Sequence, residues 1–117
     1  METTPKARPT ASLVADEAIP VVGCPSDRVL RMLWGQWKTH VVYVLGTHGP
    51  QRFGSLRRII AGISPKVLTQ RLRELEGDGL VWREQAQTIP PEVTYGLTDR
   101  GLQIHEILRK FDAIDAT

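Results

Sequence analysis

The stretch GISPKVLTQRLRELEGDGL, residues 62–80, constrains this chain more than any other, because every local signal in it agrees. Ser64 stands at an N-cap position, where its hydroxyl can accept from a first-turn amide that lacks a partner within the helix. Pro65 follows at the first helical position, where a missing N–H costs nothing. Gly77 and Gly79 offer stops at the far end. Between them Val67, Leu68, Leu72 and Leu75 recur at helical spacing and make one apolar stripe. The opposite side carries Lys66, Thr69, Gln70 and Arg73. A polar side of this kind is usually just a solvated one, so its neighbours have to decide whether it reads anything.

Charge supplies the first such neighbour. The 117 residues carry a net charge of only +2, but its distribution is uneven. Residues 1–50 hold five Lys/Arg and four Asp/Glu, and residues 74–117 hold four and nine. Residues 51–73 hold six basic residues (Arg52, Arg57, Arg58, Lys66, Arg71, Arg73) and no acid. A local basic field of this kind suits a polyanion. The modest overall charge argues against a merely polybasic tail.

The periodicity along the chain supplies the second. Residues 1–23 show none, are dotted with Pro, Thr, Ala and Ser, and read as a flexible arm. From 24 to 117 the chain reads as one domain, and a chain with 41% hydrophobic residues overall can build a modest core. A first helix is expected from Ser26 or Asp27 to about Trp34-Gly35, with Val29, Leu30 and Leu33 on one side. A second runs from about Trp37 to Leu45, with the stripe Trp37, Val41, Val44 and Leu45. THGPQ breaks it. A short third helix, about Phe53 to Ala61, turns sharply at AGIS into the helix that Ser64 and Pro65 open. Then the period changes to alternation. LVWREQ (80–85) and EVTYGL (92–97) read as the two strands of a hairpin, and the two prolines of the intervening AQTIPP suit an exposed loop. Thr98 caps a last helix to about Ile114, with Ile104, Ile107, Leu108 and Phe111 in register.

A short helix turning into a longer one, followed by a hairpin, is a winged helix-turn-helix. The class is mainly α with a small β-hairpin. That geometry turns the polar side of residues 66–73 toward a DNA major groove, N-terminal residues foremost. Gln and Arg suit adenine and guanine edges through paired hydrogen bonds. Ser64 and the first-turn amides can take a phosphate. Arg52, Arg57 and Arg58 are expected on backbone or solvent, one of them pairing with Glu74 or Glu76. Thr88 and Ile89 at the tip of the wing are candidates for further DNA contact. Trp34, Trp37, Trp82, Phe53 and Tyr95 sit at core spacing and are read as core.

Other chemistry has little support. His40, His48 and His105 are scattered, no Cys/His/Asp cluster has metal-ligand spacing, and no metal or cofactor is expected. There is no glycine-rich phosphate loop after a strand and no serine elbow, so an enzyme is not expected. No apolar run approaches the roughly 20 residues that span a bilayer, and no secretory signal is apparent. With the single Cys24 no intrachain disulfide can form, and a cytoplasmic setting follows as the expectation.

The segment GPQRFGSLRRIIAGISPKVLTQRLRELEGDGLV, followed by PPEVTYGLTDRG, resembles the HxlR family of bacterial transcription regulators. The CP pair at 24–25 and the residues Gly35 and Trp37 fit the same pattern. The resemblance covers about residues 24–111. It implies a homodimer built through the first and last helices, binding an inverted repeat in double-stranded DNA. Gln36 and Glu92 stand where that family often carries basic residues. Cys24 stands where some of these regulators sense oxidants or electrophiles, so it is the candidate sensor for a signal whose chemistry the sequence leaves open. The alternative from another class is a winged-helix module that binds protein without specific DNA binding.

Overall fold

The computed structural model describes residues 23–115. Contacts divide the chain at Arg31 into two units. All but Gly23 of the arm expected over residues 1–23 lies outside the described residues. In the first unit the Asp27 N–H donates to the Cys24 carbonyl at 2.8 Å, and the Leu30 N–H donates to Ser26 at 2.9 Å. These bonds open helix α1, Asp27–Met32, which buries no side chain. It stops short of the Trp34-Gly35 end expected from the sequence.

The second unit carries the elements of the wing and the turn. Trp37 adopts left-handed backbone, φ 77° and ψ −10°, and caps helix α2, Lys38–His48. Helix α2 is the central element, with Val41, Val42 and Leu45 at most 2% exposed. The sequence stripe named Val44 and Trp37 in place of Val42, but both of those are only half-buried. Gly49, at φ 79°, ends the helix and donates its N–H to Leu45. A two-residue strand β1, Gln51–Arg52, follows, then helix α3, Phe53–Ile59. The turn at Gly62, φ 93°, leads to helix α4, Pro65–Gly77.

Helix α4 forms as its local signals require. The Ser64 hydroxyl accepts from the Val67 N–H at 3.1 Å. At the other end the Asp78, Gly79 and Leu80 amides fold back onto Glu74, Glu76 and Leu75. Leu68, Leu72 and Leu75 are at most 1% exposed and fasten its apolar side to the core. Strands β2, Val81–Ala86, and β3, Glu92–Leu97, complete an antiparallel sheet in the order β1-β3-β2. Trp82 faces Gly96 in the register, and a methyl group on Gly96 would overlap the indole. Thr98 then joins three elements. Its hydroxyl donates to Gly79 at 2.6 Å and accepts from the Gly101 N–H at 3.1 Å, which caps helix α5, Asp99–Asp115.

One expectation about burial is overturned. Trp34 is 78% exposed and belongs to no core. Its backbone lies between the end of α1 and the Gly35 turn, where no described element covers the ring. In α5 the buried residues are Gly101, Ile104 and His105, so of the expected stripe Ile104 is buried and Leu108 half-buried. Ile107 is 50% and Phe111 57% exposed. At about 1.5 Å per residue, the 17-residue helix extends well past the layer that buries its first turns.

Candidate nucleic-acid interface

Lys66, Gln70 and Arg73 are exposed along one side of α4, opposite the buried leucines. With Thr69 and Glu74 they border a concavity of about 440 Å³. A second, of about 260 Å³, is lined by Thr69, Leu72, Arg73, Glu76, Arg83 and Tyr95. The surface therefore runs from the helix onto the wing. Arg83 shares it with Arg73. The sequence reading missed Arg83, because only the packing of β2 beside α4 brings it to this surface. Thr69 is half-buried, and its hydroxyl donates to the Pro65 carbonyl at 2.9 Å. It therefore presents its methyl group more readily than its hydroxyl. Ser64 is exposed at the helix start, its oxygen engaged as the cap.

The remaining candidates lie apart. Arg52 stands on β1, across β3 from β2, and its guanidinium donates to Glu92 at 2.8 Å. Thr88 is exposed at the tip of the wing, its hydroxyl donating to the Pro90 carbonyl at 2.8 Å beside the fully exposed Ile89. Cys24 is exposed and unbridged. The expectation that Arg52, Arg57 or Arg58 would pair with Glu74 or Glu76 fails for Glu74. Arg52 takes Glu92, Arg58 donates to Ser55, and Glu74 is engaged by partners from elsewhere.

Those partners fix the back of the surface. Arg71 donates through Nη1 to Glu74 Oε1 at 2.9 Å and through Nε to the Gln36 carbonyl at 2.8 Å. Lys38 Nζ lies 3.5 Å from the same carboxylate oxygen, and the Lys38 side chain is only 8% exposed. Gln70 donates to the other oxygen, Oε2, at 3.4 Å. Burial pushes the Glu74 carboxyl up, but the Arg71 hydrogen bond and the charges of Lys38 and Arg71 outweigh it, with help from Gln70. The net displacement is below the usual value. Arg71, counted above as part of the basic segment, is thus half-buried and committed inward, whereas Arg57, Arg58, Lys66 and Arg73 are exposed.

The sequence profile described as HxlR-like helix-turn-helix matches residues 32–115. The chain belongs to the HxlR family. It is 41% identical over 86 residues to YybR of Bacillus subtilis (strain 168), an uncharacterized HTH-type transcriptional regulator, covering 74% of this chain and 68% of that protein. Among solved structures, the reduced form of the redox regulator HypR superposes with a TM-score of 0.71 at 37% identity, covering 77% of this chain and 88% of that one. The reduced form of the transcriptional regulator YodB from B. subtilis gives a TM-score of 0.69 at 31% identity, covering 79% and 90%. The HxlR-family chain is thus a winged helix-turn-helix protein of a family of transcriptional regulators, not of enzymes. Among the described residues no group of three or more His, Cys, Asp or Glu could hold a metal ion. No described helix is long and apolar enough to cross a membrane.

Proposed function

We propose that this HxlR-family protein regulates transcription as a homodimer that binds an inverted repeat in double-stranded DNA. The observation that carries the reading is the division of α4. Leu68, Leu72 and Leu75 are buried on one side, while Lys66, Gln70 and Arg73 stand exposed on the other and border a concavity that shares Thr69 and Arg73 with a second one reaching the wing. In this reading Gln70 and Arg73 meet base edges. Lys66, Ser64 and the helix start meet phosphate. Thr69 offers its methyl group, and Arg52 and Thr88 flank the site. Arg52 would have to exchange Glu92 for a phosphate to take part. The domain that does this is residues 24–117, with 1–23 as an arm.

The dimer reading rests on α5, where Ile107 is 50% and Phe111 57% exposed. The core buries Ile104 near the start of the helix, and the exposed apolar residues beyond it fit the terminal helices of a second copy. Two-fold symmetry then calls for half-sites about 10 bp apart, centre to centre, or a multiple of it. Cys24 is proposed as the thiol through which an oxidant or electrophile alters binding. Its exposure supports this, as does the kinship to HypR and YodB, of which HypR was solved in reduced and oxidised forms and YodB in reduced and diamide-treated forms.

The test is a gel-shift series against salt on the duplex upstream of the protein's own gene. Binding should weaken with a log–log slope of about −0.9 per neutralised phosphate. The combined Lys66→Ala, Gln70→Ala and Arg73→Ala substitutions should abolish it. Full binding by the triple variant would refute the orientation, and an absence of DNA binding by the wild type would leave the protein-binding module as the reading. Diamide should release the DNA reversibly from wild type and leave Cys24→Ser bound; equal behaviour makes Cys24 structural.

A further inference from the structure

Glu74 occupies a seam. Its carboxylate lines the concavity bordered by Lys66, Thr69, Gln70 and Arg73, yet one of its two oxygens belongs to the interior. Oε1 takes Arg71 Nη1 at 2.9 Å and faces Lys38 Nζ at 3.5 Å. Lys38 is buried, and Arg71 is itself fixed by its bond to the Gln36 carbonyl. The carboxylate is therefore set from behind by two cations anchored at the start of α2. Oε2 is left pointing along the helix to Gln70, whose Nε2 donates to it across 3.4 Å.

The consequence falls on Gln70. A glutamine on an exposed helix side samples several rotamers, and ordering one on binding costs side-chain entropy. Its amide can also turn over, exchanging donor for acceptor. A carboxylate at i+4 accepts only from the NH₂ end, so it selects one orientation of the amide. The second N–H and the carbonyl oxygen then remain for a partner outside. One donor and one acceptor side by side are what the adenine major-groove edge requires.

We propose that Glu74 is the positioning residue for base choice in this protein: held by Lys38 and Arg71, it orients the Gln70 amide for paired hydrogen bonds to one base. The inference deepens the reading of α4 as the groove-facing helix and rests on it. Glu74 itself need touch no base. Its part is to pass the fixed geometry of the α2 start to the side chain that reads.

The experiment measures base preference with a duplex library randomised across the half-site, using the full chain. Four proteins are compared with wild type: Gln70→Ala, Glu74→Gln, the two combined, and Lys38→Met/Glu74→Gln. One amide oxygen in place of a carboxylate cannot serve Arg71, Lys38 and Gln70 together. The last protein removes the buried ammonium that Glu74→Gln alone would leave without its carboxylate, and so protects the fold. Gln70→Ala should relax preference at one position. Glu74→Gln should relax the same position by about tenfold, the scale of one good base pairing, and so should Lys38→Met/Glu74→Gln. In the Gln70→Ala background Glu74→Gln should add nothing. If Gln70→Ala relaxes one position while both Glu74 variants keep wild-type preference there, the inference about Glu74 is overturned and the groove reading stands. Equal relaxation at every position, or an undiminished effect without Gln70, makes Glu74 a purely structural residue and also overturns it. If Gln70→Ala changes no position, the groove-facing role of Gln70 fails and the inference falls with it.

Discussion

The two halves of the Lys38–Glu74 pair should cost unequally when removed. Lys38 is 8% exposed at its side chain, Glu74 36%, and the two approach to 3.5 Å. In Lys38→Met an apolar stem of similar length replaces the buried one, and Glu74 keeps Arg71 at 2.9 Å and its share of water. No charge is stranded. Because exchanging a buried ion for a packed apolar group is often neutral or better, the change in unfolding free energy should lie within about 1 kcal/mol of zero. In Glu74→Gln the ammonium stays buried with its carboxylate gone. Fully buried pairs lose about 3–5 kcal/mol in that situation, and the exposure of Glu74 discounts this to about 1–3 kcal/mol. Urea denaturation measures both, read as a shift in midpoint at constant slope. Acid adds an independent check. Burial acts to raise the Glu74 carboxyl, but its Arg71 hydrogen bond and the neighbouring cations leave it below the ordinary value of 4.5. A carboxyl depressed in the folded state contributes stability that is fully present above its unfolded value and is lost as pH falls through the folded one. The gap between wild type and Glu74→Gln should thus be full near neutrality and close below about pH 4.5. Equal costs for the two variants, or a gap indifferent to acid, would refute the assignment of the buried charge to Lys38.

Three further outcomes follow from named contacts. Gly101→Ala should destabilise by about 1–3 kcal/mol despite the better helix propensity of alanine, because its methyl group would overlap the Leu80 carbonyl oxygen, a backbone atom that also accepts from Thr98; thermal unfolding reads this. Ser64→Ala removes the acceptor of the Val67 N–H and should cost about 1 kcal/mol, or several degrees in Tm. The hydrogen bond to Asp112, with its charge and some burial, holds the Tyr43 phenol above 10.0, against smaller opposing effects of Thr47 and Arg109. A raised folded value means stability present below the unfolded value and lost as pH climbs through the folded one. In Asp112→Asn an ultraviolet titration should find Tyr43 ionising closer to 10.0.

Much of this fold is readable because its signals are local. Ser64, Pro65 and the glycines after Leu75 act on their own helix, and the leucine spacing needs no partner to be recognised. The signals that failed are those settled by distant residues. Strand β1 has two residues, too few for any alternation, and exists because Gln51 and Arg52 pair with Tyr95 and Thr94. Nothing in the sequence near Lys38 marks it for burial, which Glu74, 36 positions on, accompanies at 3.5 Å. Arg71 reads as part of a basic surface, yet Glu74 and the Gln36 carbonyl turn it inward. The candidate site was legible to the same extent. The outward side of α4 follows from its inward leucines, whereas Arg83 joins it only because β2 packs beside that helix.

The last helix shows where periodicity stops informing. Ile104, Ile107, Leu108 and Phe111 share one stripe, and the spacing says only that this stripe is to be covered. The chain's own core covers Ile104 to 5% exposure and leaves Phe111 at 57%. A stripe that outlasts the core it begins in measures the surface still to be supplied. Its polar flank is kept, with Glu106 and Arg109 pairing at 3.6 Å, so the apolar remainder is a bounded seam and not a general failure to bury. A bounded apolar seam at the end of a DNA-binding domain is what a two-fold partner needs. Sedimentation should therefore find a dimer at micromolar concentration, and Ile107→Ser/Phe111→Ser should give a folded monomer with weakened DNA binding. A variant that stays dimeric would move the interface off this helix.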